Sequence, residues 1–258
     1  MSYARTVEFA DELYKAEISC SPITPLTETD PGITPENAYA VQLHNVKRNI
    51  AKRVISGKKI GLTSKGIQIQ LGVNTPDYGH LFKDMERPDG KLLSAAFIQP
   101  KIEAEIAYVL KDDLKGGALT PDDVLKATDY VVCSFEIVDS RVKDWKIKLA
   151  DTIADNASSA AYVLGAKKVS PASIDLASVS MKLYKNGALV NEGSGAEVMG
   201  NPSLSVAWLA NKLWEYGVAL KKGEVVLSGA FTAAPLAVKG DVFEARFSDL
   251  GDLAAEFV

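Results

Sequence analysis

Apolar positions in the first fifty residues recur at helical spacing. Val7, Ala10, Leu13, Tyr14 and Ala16 fall on one helical face. A loop rich in Pro and Thr follows over 21–32. Thr34-Pro35-Glu36 then restarts a helix, with Thr34 as N-cap and Pro35 at its first position. Tyr39, Leu43, Val46 and Ile50 supply the buried face expected of it. From about Val54 the period changes. Ile102, Ala104, Ile106 and Tyr108 alternate with Glu103 and Glu105, which is strand periodicity. Tyr130–Val138 reads as a largely buried strand, and Thr120-Pro121-Asp122-Asp123 starts a helix between the two. Met181–Tyr184 runs into Asn186-Gly187, the signature of a hairpin turn. Asn201-Pro202 opens a helix that turns Val206, Trp208, Leu209 and Leu213 inward and ends by Gly217. Strands over 224–227, 242–247 and 253–257 close the chain. The expected class is α+β: a helical part over 1–55 and a mixed β part over 56–258. Regular βαβ alternation is absent, and so are GxGxxG and Walker patterns, which argues against a nucleotide-binding parallel sheet.

Composition narrows the functional classes. The 258 residues carry a net charge of -4, with scattered Lys and Arg, so nucleic acid is not the expected partner. The densest basic patch, Lys47-Arg48 through Lys52-Arg53 and on to Lys58-Lys59, reads as a solvated helix face except at Lys59. Two cysteines, Cys20 and Cys133, cannot build a disulfide framework or a Cys-rich metal site. The N-terminus has no signal-peptide core and no apolar run reaches membrane-spanning length, so a cytoplasmic protein without membrane contact is expected.

The chemistry-bearing residues begin with Glu103 and Glu105. Two apart on a strand, they share one face, and paired carboxylates repel unless a cation or proton sits between them. Mg²⁺ or Mn²⁺ suits such a pair; a solvated face with two unrelated acids is the other reading. Glu136 lies in the apolar stretch 131–138 and needs a partner, either a cation shared with the other two or a salt bridge to Arg141. Lys59, in Gly57-Lys58-Lys59-Ile60-Gly61, suits pairing with a substrate carboxylate or moving a proton. Asp77 lies in the Thr75–Gly79 turn, where Asp is common for backbone reasons alone. The polar stretch Asp151–Ser159 reads either as a cap or as a set of ligand contacts. His44 reads as a surface or packing residue, and His80 follows the Asp77 turn, which leaves a place near the site open to it.

Together these blocks resemble the 2-keto-4-pentenoate hydratase group of the fumarylacetoacetate hydrolase superfamily. The resemblance rests on Gly57–Ser64, Leu71-Gly72-Val73, Pro76–Gly79, Pro100–Ile106, Glu136–Arg141, Asp144-Trp145, Asp151–Ser158, Ala207–Asn211 and Leu227–Ala230, in the family's order from about Pro22 onward. It implies a mixed β-sandwich or roll with a helical N-terminal part, and Mg²⁺ or Mn²⁺ held by Glu103, Glu105 and Glu136. It implies proton handling or substrate binding by Lys59 and Asp77, and a substrate pocket including Leu62, Asp155, Asn156 and Ser158. A small 2-keto acid is the implied substrate, hydrated at the double bond of 2-hydroxypenta-2,4-dienoate to give 4-hydroxy-2-oxopentanoate. The implied assembly is a homo-oligomer, with a complex with a pathway enzyme as a further expectation. The 4-oxalocrotonate decarboxylases of the same group are the alternative. Asp144–Lys148 resembles the hydratases, whereas Phe231-Thr232-Ala233-Ala234 partly resembles the decarboxylases. Ala233 stands where some diacid hydratases carry Arg. Carbon–carbon bond hydrolases of the superfamily use a His with an acid, and neither His44 nor His80 lies in a matching block. A catalytically silent scaffold subunit disagrees with the presence of all three glutamates, Lys59 and Asp77.

Overall fold

The computed structural model describes residues 1–258, apart from the side chains of Gln70 and Leu71. The side chain of Leu71, one of the Leu71-Gly72-Val73 block, therefore lies outside the described residues. Three helices come first: α1 (Tyr3–Ser19), α2 (Leu26–Thr29) and α3 (Pro35–Ile50). Then follow β1 (Ile55–Gly61), α4 (Lys65–Leu71), β2 (Asp77–Phe82), β3 (Lys91–Leu92) and β4 (Lys101–Leu110). The middle of the chain forms α5 (Pro121–Ala127), β5 (Thr128–Val138), α6 (Leu149–Ala154), β6 (Ser159–Leu164), β7 (Ser180–Lys185) and β8 (Ala188–Ser194). It ends with α7 (Pro202–Trp214), β9 (Val225–Leu227), β10 (Val242–Phe247) and β11 (Gly251–Phe257). The class is α+β, as the change of period indicates.

The expected helix starts are real. Thr34 caps α3 and Thr120 caps α5 through reciprocal capping boxes, each with Pro at the start of the helix. The buried faces of α1 and α3 are rotated from expectation. In α1, Phe9, Ala10, Leu13 and Ala16 are buried, whereas Val7 and Tyr14 are half-exposed. In α3, Ala38, Val41, Gln42 and Val46 face inward, leaving Leu43 and Ile50 exposed. The cause is tertiary. Gln42 Nε2 donates to the carbonyls of Tyr78 (3.0 Å) and Ile153 (2.8 Å), so a polar side chain is drawn into the interface.

Two sheets form the β part. One is six-stranded, in the order β2-β1-β9-β4-β5-β6; the other is five-stranded, β3-β11-β10-β7-β8. Ile102, Ile106, Tyr108, Val131, Phe135 and Ile137 pack on the second sheet through Leu183, Phe243 and Phe257, forming the main core. The six-stranded sheet rolls up. Glu86 bridges Tyr162, and Arg87 N–H donates to the Tyr162 carbonyl at 2.8 Å, joining the segment after β2 to β6. The inner face of the roll carries Leu81, Ala107, Val132, Tyr162, Val225 and Leu227 toward one end. By strand alternation the same face carries Lys59, Asp77, Glu103, Glu105 and Glu136 toward the other. Helices α1, α2 and α3 pack with α6 through Phe9, Leu13, Leu26, Val41 and Ile153, next to the polar end of the roll. Among the described residues no helix is long and apolar enough to cross a membrane.

Candidate functional site

The polar end of the roll opens into a cavity of about 360 Å³, large enough for a small organic acid. A second hollow, lined by Asn45, Arg141 and Asp155 among others, measures about 50 Å³ and has room for little more than water. The chemistry therefore belongs to the larger one.

Glu103 on β4 stands directly opposite Glu136 on β5, and Glu105 opposite Ser134. Antiparallel pairing thus places the three carboxylates together, each offering an oxygen within 4.8 Å of the others. Glu105 and Glu136 are fully buried. Glu105 Oε2 accepts the Gly229 N–H at 2.8 Å, but Oε1 and both Glu136 oxygens have no directed hydrogen bond. Burial, then the charges of Glu136 and Glu103, push the Glu105 carboxyl well above the ordinary range. Burial, opposed by Lys59 and reinforced by Glu103, lifts Glu136 to about 8. Glu103 is raised as well, by burial against the pull of Lys59. Buried acids left without donors form an all-oxygen set suited to a hard divalent cation such as Mg²⁺ or Mn²⁺.

Lys59 supplies the compensating charge. Its Nζ stands 3.2 Å from Glu136 Oε1 and donates to the Ala157 carbonyl at 2.9 Å. Burial favours the neutral amine, but Glu136, Glu103, Asp77 and Glu105 outweigh it and hold the ammonium above its usual range. The expected alternative for Glu136, a bridge to Arg141, does not form, because Arg141 is engaged elsewhere. The Ala157 carbonyl is aimed at Lys59 by three successive left-handed residues, Asn156, Ala157 and Ser158 (φ 55°, 50° and 55°). Non-glycine residues held there cost on the order of 1–3 kcal/mol each and cluster at functional sites.

Asp77 faces Gly61 across the β1–β2 ladder. Its Oδ2 accepts from Thr152 Oγ1 at 3.1 Å, and its buried Oδ1 has no partner. Burial raises its carboxyl, against the opposing pull of Lys59 and Thr152. A Cβ at Gly61 would lie 2.3 Å from Asp77 Oδ1, so only glycine leaves that oxygen free. Gly229 (φ 116°) brings its N–H to Glu105, and a Cβ there would collide with Thr63 Oγ1 at 2.3 Å.

Leu62 and Ser158 line the cavity. Asp155 and Asn156, grouped with them on sequence, line the small hollow instead. Asp155 is ion-paired with buried Arg141 and accepts its backbone N–H at 2.9 Å; burial, opposed by that guanidinium, places the carboxyl at about 6. Asn156 exchanges hydrogen bonds with the His80 backbone, 2.8 Å in and 2.9 Å out, and so fastens the 156–158 turn to β2. His80 itself is buried behind the site, its Nδ1 3.1 Å from Gln42 Oε1. Burial, then Lys58, depresses its imidazole to about 3, so it stays neutral. His44 lies half-exposed on α3, edge-on to Tyr3. Thr152, Lys101 and Trp145 also line the cavity. Sequence reading did not single them out as site residues, although all three fall inside the motif blocks.

The family model described as fumarylacetoacetate (FAA) hydrolase C-terminal matches residues 79–258. The chain is 45% identical over 249 residues to the 2-hydroxyhexa-2,4-dienoate hydratase of Comamonas testosteroni, covering 95% of this chain and 94% of that one. It is 46% identical over 253 residues to the 2-keto-4-pentenoate hydratase of Paraburkholderia xenovorans strain LB400, covering 97% and 94%. Among solved structures it resembles the 4-oxalocrotonate decarboxylase from Pseudomonas putida G7, complexed with magnesium and adipate. The TM-score is 0.96 at 36% identity, over 100% of this chain and 99% of that one. With the full length aligned and the rolled sheet shared, the chain belongs to the fumarylacetoacetate hydrolase family.

Proposed function

We propose that this chain is a divalent-metal hydratase that adds water to 2-hydroxypenta-2,4-dienoate or a short alkyl homologue, giving a 4-hydroxy-2-oxo acid. The observation that carries this reading is the trio Glu103, Glu105 and Glu136, the last two buried with unpartnered oxygens, beside a cavity sized for a small acid that Glu103 lines. The names of the relatives at 45–46% identity support hydration over decarboxylation, whose relative stands at 36%. Mg²⁺ or Mn²⁺ are the proposed ions, held by the three carboxylates. When bound, the ion supplies positive charge that orients a 2-keto acid and stabilises enolate charge.

The protein's own residues divide the remaining work. Lys59, held protonated by the surrounding acids, is a fixed cation and a poor base. It offsets negative charge as the dienol loses its hydroxyl proton and becomes a ketone. Asp77 is raised toward working pH and presents a free oxygen to the cavity, so it suits proton transfer between the substrate oxygen and carbon. Water then adds at C4 of the conjugated enone, its hydroxyl going to C4 and a proton to C3. Leu62 and Ser158 wall the substrate, while Asp155 and Asn156 hold the 156–158 turn and so aim the carbonyl that Lys59 uses.

The test is an ultraviolet assay of Mg²⁺- or Mn²⁺-loaded protein on 2-hydroxypenta-2,4-dienoate and on 4-oxalocrotonate, with carbon dioxide trapped. Loss of the dienoate without carbon dioxide, abolished by chelator, is expected. Carbon dioxide from 4-oxalocrotonate with little dienoate turnover would replace the reading with the decarboxylase. Asp77→Asn should lower kcat at least a hundredfold and remove one limb of the pH profile; an unchanged profile would take the proton from Asp77.

A further inference from the structure

Two acidic side chains, Glu103 and Asp77, line the cavity, and Glu105 and Glu136 stand beside Glu103. Four carboxylates outnumber the charge of one divalent ion and Lys59 together, so a substrate carboxylate entering the site is received best where a further cation is free. Lys59 is not free, because Glu136 and the Ala157 carbonyl engage it. The other ammonium lining the cavity is Lys101. It precedes Glu103 by two residues on β4, so it sits on the same face, roughly 7 Å further along the strand. Lys58, Lys59 and Lys185 are each paired with a carboxylate, whereas Lys101 has none within ion-pair distance among the described residues.

Instead the Lys101 ammonium rests on the indole of Trp145, 4.1 Å from the ring centroid. That indole is held from several sides. Asp144 and Trp145 are both left-handed (φ 58° and 54°), a conformation non-glycine residues adopt only when their surroundings impose it. Trp145 Nε1 donates to the Gln99 carbonyl at 2.9 Å. The Gln99 side chain in turn donates to the carbonyls of Ser140 and Val142, and Asp139 accepts the N–H groups of Ile98 and Gln99. The 98–99 segment is thereby tied to 139–145. An aromatic face positions a lysine without neutralising it, which leaves the ammonium protons available to an incoming anion.

The geometry points to Lys101, braced on Trp145, as the group that binds a carboxylate oxygen of the 2-keto acid substrate. This rests on the hydratase reading and names the residue that admits the acid. Two carboxylates qualify, the one beside the keto group and, in a diacid, the distal one; the chemistry is shared and the ligands below separate them.

The experiment titrates Mg²⁺-loaded protein with pyruvate and with 2-oxoadipate, read by tryptophan fluorescence, in wild type, Lys101→Gln and Lys101→Arg. Trp145→Phe identifies the signal. Calorimetry of Mg²⁺ alone runs in parallel. Lys101→Gln should weaken binding roughly tenfold to a hundredfold, the scale of one charge-assisted hydrogen bond, with Mg²⁺ bound at least as tightly as before and Lys101→Arg recovering most of the affinity. Weakening for both acids assigns the carboxylate beside the keto group; weakening for 2-oxoadipate alone assigns the distal one. Binding of both acids within twofold of wild type overturns the inference, as does a parallel fall in Mg²⁺ affinity. Dienoate turnover by the wild type is read separately. Its absence, with ligand binding intact, sinks the hydratase reading and leaves Lys101 standing.

Discussion

Replacing Glu105 with glutamine should change stability in opposite directions with and without metal. Glu105 is fully buried, one oxygen has no donor, and its carboxyl is raised by burial and by Glu136 and Glu103. Two full charges 4.8 Å apart repel by about 3.5 kcal/mol at an effective dielectric near 20. Proton uptake by the trio relieves part of this. The neutral amide should therefore stabilise the metal-free protein by roughly 1–3 kcal/mol, raising Tm by a few degrees. The sign with pH follows from the raised carboxyls. The folded protein binds more protons than the unfolded chain, so its metal-free stability falls as pH rises from the ordinary carboxylate range toward about 8, where Glu136 titrates. The variant's advantage should therefore grow over that window. With Mg²⁺ at about a hundred times its Kd, wild type gains about 2.7 kcal/mol, and the variant should lose most of that gain together with turnover. Thermal melts in chelator and in Mg²⁺, from pH 5 to 8, read all of this. A variant that melts below wild type in chelator, yet shows the full metal shift and normal turnover, would refute the shared-carboxylate cluster.

Gly61→Ala should lower kcat by tenfold or more while leaving Mg²⁺ binding intact, because the new methyl meets Asp77 Oδ1 rather than the glutamates; unchanged kcat in the dienoate assay would refute it. His80 is held near 3 against an ordinary 6.5, so the unfolded chain takes up the extra proton and this contribution to stability is lost as pH falls below about 6.5. His80→Gln should flatten the pH dependence of the unfolding free energy, read from denaturant melts, by about 1.4 kcal/mol per pH unit between pH 6.5 and 4.5, and parallel curves would count against a neutral buried imidazole. Trp214 at the end of α7 and Tyr216 and Val218 just beyond it are exposed, and light scattering on a sizing column should find a homo-oligomer; a monomer mass would remove that expectation.

How much of this was legible depended on whether the signal was local. Alternation along β4 put Glu103 and Glu105 on one face, and the apolar flanks of Glu136 announced a buried acid in need of a partner. What escaped was decided across the fold. Leu43 and Ile50 have the right spacing for a buried face, yet Gln42 wins the interface through two carbonyls on other elements. Asp155 and Asn156 belong to a polar stretch that does border the cavity, but their oxygens face Arg141 and the β2 backbone. No spacing rule tells an acid that meets a ligand from one that holds the wall behind it. Gly229 and Gly61 acquire their importance only from what a Cβ would strike.

The strand order carries a consequence for how such a protein can change over generations. The glutamates ride on β4 and β5, paired from Lys101↔Val138 to Leu110↔Thr128, whereas Lys59 and Asp77 ride on β1 and β2. Only the three-residue β9 joins the two pairs within the sheet. The two pairs therefore meet through that short strand and through the Lys59–Glu136 ion pair, which ties the lysine and aspartate side of the roll to the glutamate side. A change that moves either strand pair must keep that ion pair in register, so the two halves of the site are constrained to vary together.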